Sequence, residues 1–204
     1  MKIQSLMLAC SAALLAACGG GGGGSHEMTS DLNTAEIGQG RVITLIPEGF
    51  SGAVYRGEDA AYRKVIGNNL QAARYGWVMD KQRGSQHRFF KGNATGEAPT
   101  SGSAQYRGIA LHQEGFAGPV LEGSAEFVAD FAAKRLNGTV SGANFAPVVL
   151  QAVIDGDDFA GTLNGVEVHG DFYGHNGAEI SGMYGTTDMQ QPRSFSGVFG
   201  ASRQ

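Results

Sequence analysis

Two imidazoles and a carboxylate fall within one short stretch, His169-Gly170-Asp171-Phe172-Tyr173-Gly174-His175. Side chains of these types bind metals, and three suffice for a site if the backbone brings them together. The glycines running from Gly170 to Gly185 suggest a second chemistry, a cradle for phosphate. A third reading needs no ligand: two strands joined by a turn, with the polar residues in water. Asp155, Asp157 and Asp158 form an Asp-Gly-Asp-Asp turn with a weak capacity for Ca²⁺, although such sequences more often simply turn. No Ser-His-Asp order and no paired carboxylates in a catalytic context stand out. The chain therefore reads as a non-enzyme.

Side-chain phase separates the three readings. As a strand, Val166–Tyr173 puts Val166, Val168, Gly170 and Phe172 on one face. Glu167, His169, Asp171 and Tyr173 take the other, where water is the expected partner. His175 then sits in the turn, and nothing enforces a metal site. No helix opens after the glycines, so neither a helix N-terminus nor its dipole is on offer to a phosphate.

The elements around this stretch follow a regular rhythm. With 33 Gly in 204 residues, long helices are disfavoured and strands with tight turns are favoured. From residue 104 onward, short alternating segments are separated by glycine-rich turns, the signature of an all-β sandwich or barrel. The spacing predicts strands over Ala104–His112, Glu122–Ala132, Arg135–Gly142, Pro147–Asp155, Phe159–Leu163, Val166–Tyr173, Ala178–Tyr184 and Phe195–Ala201. Asn164-Gly165 is the strongest hairpin signal among the turns, because both central positions need φ > 0. Eight up-and-down antiparallel strands are enough to close a barrel and leave no edge exposed.

Residues 41–103 read as a smaller β-rich extension. Arg41–Ile46 is a strand, and Ala73–Met79 with Gln86–Lys91 is a hairpin. Gly57–Gly76 reads as a short helix or a loop. Trp77, the sole tryptophan, is expected in a core, with a binding surface as the alternative. Residues 41–107 carry 10 basic and 5 acidic side chains, whereas residues 108–204 carry 4 and 11. Arg74, Lys81, Arg83, Arg88 and Lys91 make the hairpin region basic, either as a solvated surface or as a docking face for an acidic partner. The overall acidity argues against nucleic acid as the partner.

The first residues are addressing, not fold. Lys2, an apolar run and small residues form a secretory signal over 1–17. Leu15-Ala16-Ala17-Cys18 resembles the bacterial lipobox, in which Cys18 becomes the lipidated first residue. Cys10 leaves with the signal, so no disulfide remains possible, and acylation protects what would be a lone exposed thiol. Residues 18–40, opening with Gly19 to Gly24, read as a flexible, disordered tether.

Several motifs, in order along the chain, resemble one family. Pro99-Thr100-Ser101-Gly102 followed by Ala104, Tyr106 and Gly108 is similar to the lead-in to the β-barrel of transferrin-binding protein B. "AEFVADFAAKRLNGTV" resembles the family's next hairpin, and factor H-binding protein carries a similar one. "GDFYGHNGAEISGMYG" resembles its Phe-Tyr-Gly-Pro-x-Ala-x-Glu-x-x-Gly hairpin, with His175-Asn176 where Pro is usual. "FSGVFGASRQ" resembles the closing strand. The resemblance spans about residues 73–204.

It implies an eight-stranded barrel over 104–204 on a lipid anchor, carried to the outer-membrane surface of a Gram-negative bacterium by a dedicated translocon. It also implies a host extracellular protein as partner, since relatives bind transferrin, complement factor H or polyanions such as heparin. The relative hemophilin binds haem, which makes a haem or small-ligand carrier the alternative. For that role His87, His112 and His175 are the candidate axial ligands. No binding residue carries over, because family contacts lie in variable loops.

Overall fold

The computed structural model describes residues 24–29, 31–38, 40–93, 98–190 and 193–204. The signal segment 1–17 and Cys18 lie outside the described residues. Regular structure among the described residues is entirely β. The N-terminal strands are β1 (Gly24–Met28), β2 (Thr34–Ile37), β3 (Arg41–Thr44), β4 (Val54–Glu58), β5 (Tyr62–Gly67), β6 (Ala73–Asp80) and β7 (Ser85–Gly92). The remainder are β8 (Ser103–Glu114), β9 (Leu121–Asp130), β10 (Arg135–Gly142), β11 (Phe145–Asp155), β12 (Asp158–Leu163), β13 (Val166–Tyr173), β14 (Glu179–Thr186) and β15 (Phe195–Arg203).

Strands β8 to β15 close into an antiparallel barrel, each pairing with its neighbour in sequence. β15 pairs back onto β8, from Phe195 beside Glu114 to Arg203 beside Tyr106. The eight expected strands are all present, several longer than alternation alone suggested. The Asn164-Gly165 turn has φ of 51° and 78°, as its type requires.

Inward positions fill the barrel with rings: Tyr106, Phe127, Phe131, Phe159, Phe172 and Phe199 are all buried. Phe127 and Phe199 lie 4.6 Å apart between centroids. Glycine makes this possible at Gly138, where a Cβ would overlap the Phe127 ring. The interior is therefore a packed core, worth roughly 1.5–3 kcal/mol per buried large side chain.

The N-terminal strands form two further layers. A five-stranded sheet has the order β1-β7-β6-β5-β4, with β1 parallel to β7. One face packs on the outside of the barrel, where Val65, Leu70, Tyr75, Trp77 and Phe90 meet Leu111, Tyr173, Met183 and Val198. The other face is covered by the β2–β3 hairpin, where Ala35, Ile37, Ile43 and Leu45 meet Ile66, Val78 and Phe89.

Three expectations are corrected here. Gly57–Gly76, read as a helix or a loop, holds the end of β4, all of β5 and the start of β6. Both faces of this sheet are buried, Val65 against the barrel and Ile66 against the hairpin, so the one-sided alternation that signals a strand is missing. Within the flexible tether expected over 18–40, residues 24–28 and 34–37 instead form β1 and β2, both hydrogen-bonded into sheets. Lastly, the outer face of β13 is not wholly in water, because β7 lies over it.

Candidate functional site

The proposed metal trio is not assembled. His169 is exposed on the outer face of β13, its ring meeting Phe90 edge-on at 5.6 Å. Asp171, expected in water, is buried, and its Oδ2 accepts a 2.9 Å hydrogen bond from the Tyr173 hydroxyl. The cause is the overlying sheet: a Cβ added at Gly92 in β7 would strike the Tyr173 ring. His175 is exposed in the β13–β14 turn beside Asn176 Nδ2, at 3.0 Å. Among the described residues no group of three His, Cys, Asp or Glu side chains could hold a metal ion.

The three haem candidates are also separate. His87 is half-buried in β7, 3.3 Å from Ser85 Oγ. His112, expected at a strand end, lies within β8, on its inner face and only 1% exposed. Its ring stacks on Phe145 at 4.1 Å, and its Nδ1 lies 3.0 Å from the Tyr184 hydroxyl. Burial without a charged partner holds its pKa down at about 4, so the ring is neutral at physiological pH. Beyond it a groove of about 310 Å³ opens between Glu114, Pro147, Leu163, Asn164 and Phe195. His112 itself lines the groove, its imidazole stacked on Phe145 and 5.3 Å from the Phe195 ring. The strand register puts His112 and His175 at opposite ends of the barrel.

What the sequence does bring together is the seam between sheet and barrel. Both carboxylate oxygens of buried Glu179 accept backbone N–H groups from the β5–β6 loop, Gln71 at 2.7 Å and Ala72 at 2.8 Å. Asn69 in the same loop donates to the Gly200 carbonyl at 3.1 Å and accepts from the Tyr75 hydroxyl at 2.6 Å. Gly200 has to be glycine, because a Cβ there would overlap the Tyr75 ring. Thus Tyr173, Glu179 and Gly200, which sit inside the two C-terminal motifs, form a latch for the sheet. Pattern reading found the motifs and not this role. The Asn68-Asn69 pair, a turn signal before an apolar run, was the available clue.

Alongside the latch, a cleft of about 210 Å³ runs between the sheet and the β8–β9 loop. Its lining includes Val65, Trp77, Met79 and Val120, with Arg56 and Arg63 contributing guanidinium groups. Trp77 is buried, in accord with the core reading, yet its Nε1 donor has no partner among the described residues. The Arg88 guanidinium sits 5.5 Å from the Trp77 ring centre. Gln86 donates to the Phe116 carbonyl at 2.8 Å and Gln113 to the Gly118 carbonyl at 2.6 Å, which fixes the loop wall. Arg56 reaches the Val120 carbonyl at 3.2 Å and Glu122 at 3.7 Å. The cleft is thus apolar inside and donor-rich at its rim, an arrangement suited to an acidic segment with an apolar anchor. The basic region legible in the sequence omits Arg56, just before the Gly57–Gly76 stretch expected as helix or loop, and Arg63 inside it.

Comparison with known proteins agrees with this architecture. An uncharacterised protein of Haemophilus influenzae is 30% identical over 153 residues, 69% of this chain and 51% of that protein. The chain thus spans about half the length of that curated relative. A crystal structure of a mutant of the vaccine antigen transferrin-binding protein B from Haemophilus parasuis Hp5 superposes with a TM-score of 0.67 at 24% identity, over 85% of this chain and 41% of that one. A surface lipoprotein of known structure superposes with a TM-score of 0.54 at 16% identity, over 87% of this chain and 95% of its own. These likenesses show the fold. Residues 98–203 match the family described as the C-lobe and N-lobe β-barrels of transferrin-binding protein B, and the chain belongs to that family.

Proposed function

We propose that this chain is a lipid-anchored protein of the Gram-negative outer-membrane surface that binds a host extracellular protein without catalysis. The supporting observation is the family match over the whole barrel, residues 98–203, in a molecule whose core is filled by side chains. A filled barrel offers its outside as the binding surface. Cys18 is the acylated residue, and a surface lipoprotein translocon exports the chain. Transferrin and complement factor H head the candidate partners. The sheet–barrel cleft, with Arg56 and Trp77, is the favoured contact region for an acidic segment of the partner.

The test uses the mature lipoprotein immobilised on beads and exposed to host serum, then to purified transferrin and factor H. Saturable retention of one host protein is the expected result, weakened several-fold by Arg56→Glu. Retention no greater than on bare beads, across sera from several hosts, would overturn the reading. Protease treatment of intact cells should remove the protein. Its survival until the outer membrane is breached would place it in the periplasm instead.

A further inference from the structure

We infer that the tip of the five-stranded sheet, formed by the β4–β5 and β6–β7 turns, rests on the anionic headgroups of the membrane that anchors the chain. This rests on the lipidation of Cys18 proposed above. The geometry comes from β1, whose Gly24 pairs with Arg88 and whose Met28 pairs with Gly92. Because β1 and β7 are parallel and β7 starts at the tip with Ser85, the chain preceding Gly24 exits toward the tip. Three residues separate Arg88 from Ser85, about 10 Å of strand. Six residues separate Cys18 from Gly24, at most about 22 Å of chain. A lipidated Cys18 can therefore lie no more than roughly 12 Å beyond the level of Ser85. The headgroup layer takes up about 5–8 Å of that. The remaining gap is within a Debye length, about 8 Å at physiological ionic strength.

The tether bounds the distance, and charge selects the face. The tip and the adjoining β2–β3 turn hold Arg41, Arg63, Lys64, Lys81 and Arg83 against Glu36, Glu58, Asp59 and Asp80. Asp80 is buried and engaged by Arg41 and Arg83. Glu58 is shared by Arg63 and Lys81, and Asp59 faces Lys64. Five cations thus stand against four acids, one of them buried, so the surplus is positive. Barrel loops at the same end add Glu114, Asp188 and Arg193, which confines the positive face to the sheet tip. The turns at 131–134, 156–157 and 174–178 lie at the other end of the barrel and face away from the membrane.

The mature lipoprotein has no cysteine other than Cys18, so single labels can be placed at Gln82→Cys in the tip and at Ala133→Cys in the far β9–β10 turn. Both positions are exposed. Each labelled protein is inserted into phosphatidylcholine vesicles containing phosphatidylglycerol and a headgroup-linked quencher. The Gln82 label should be quenched several-fold more than the Ala133 label. Lys81→Gln with Arg83→Gln, or added salt, should reduce that difference. Equal quenching at the two sites, or no response to the double substitution, would overturn the inference while leaving lipidation standing. An intact mass without acyl groups would overturn lipidation and the inference together.

Discussion

His112 is enclosed by aromatic rings, with one hydroxyl, from Tyr184, in hydrogen-bond reach. Its folded pKa, about 4, lies below the ordinary 6.5. The neutral ring's contribution is therefore complete above pH 6.5 and is lost as pH falls through 4, up to about 3 kcal/mol. Thermal melting of the wild type should show this loss between those two values. His112→Phe, which keeps the stack on Phe145, should flatten the profile there. Glu58 and Asp80 are held down at about 2, Glu58 by Lys81 and Arg63, Asp80 chiefly by Arg41. Their stabilisation is lost only as pH falls below the ordinary carboxylate range, which separates the two windows. The same enclosure predicts that haemin gives no Soret shift dependent on His112, a result that titration of wild type and His112→Ala would check. The inward phase of this residue was legible in Tyr106, Ala110 and His112, which share one face of β8. Its cage was not, because Phe145, Tyr184 and Phe195 come from three other strands.

Legibility changes with how many faces of an element are covered. Barrel strands such as β9 show Ala125, Phe127 and Ala129 inward and Ser124, Glu126 and Val128 outward, so alternation identified them. β5 and β14 are buried on both faces over much of their length, which erases that contrast. For β14 the family motif supplied what periodicity lacked. For β5 no motif does, and its sequence suits a helix or a loop equally well. Within the barrel the ring–glycine pairing gives a sharp prediction. Gly138→Ala would drive a methyl into Phe127, and overpacking of this kind costs about 1–3 kcal/mol, measurable by urea unfolding. Thr139→Ala, one residue along on the outer face, should cost under about 0.5 kcal/mol.

Across the whole molecule, the seam decides whether sheet and barrel behave as one body. Tyr75, Trp77 and Phe90 bury their rings there, and Glu179 supplies a charged acceptor for two backbone donors. Glu179→Gln should cost about 1.5–3 kcal/mol, since a charge-assisted acceptor is replaced by a weaker one beside buried N–H groups. Tyr75→Ala should cost about 3–5 kcal/mol and split one unfolding transition into two, with the barrel melting later. Calorimetry distinguishes this from a uniform loss of stability. The pairing of β15 with β8 also sets an order in time. Synthesis delivers residues 103–114 well before residues 195–203, and the ring stays open until the last strand arrives. The barrel thus completes its fold only after its whole sequence is free.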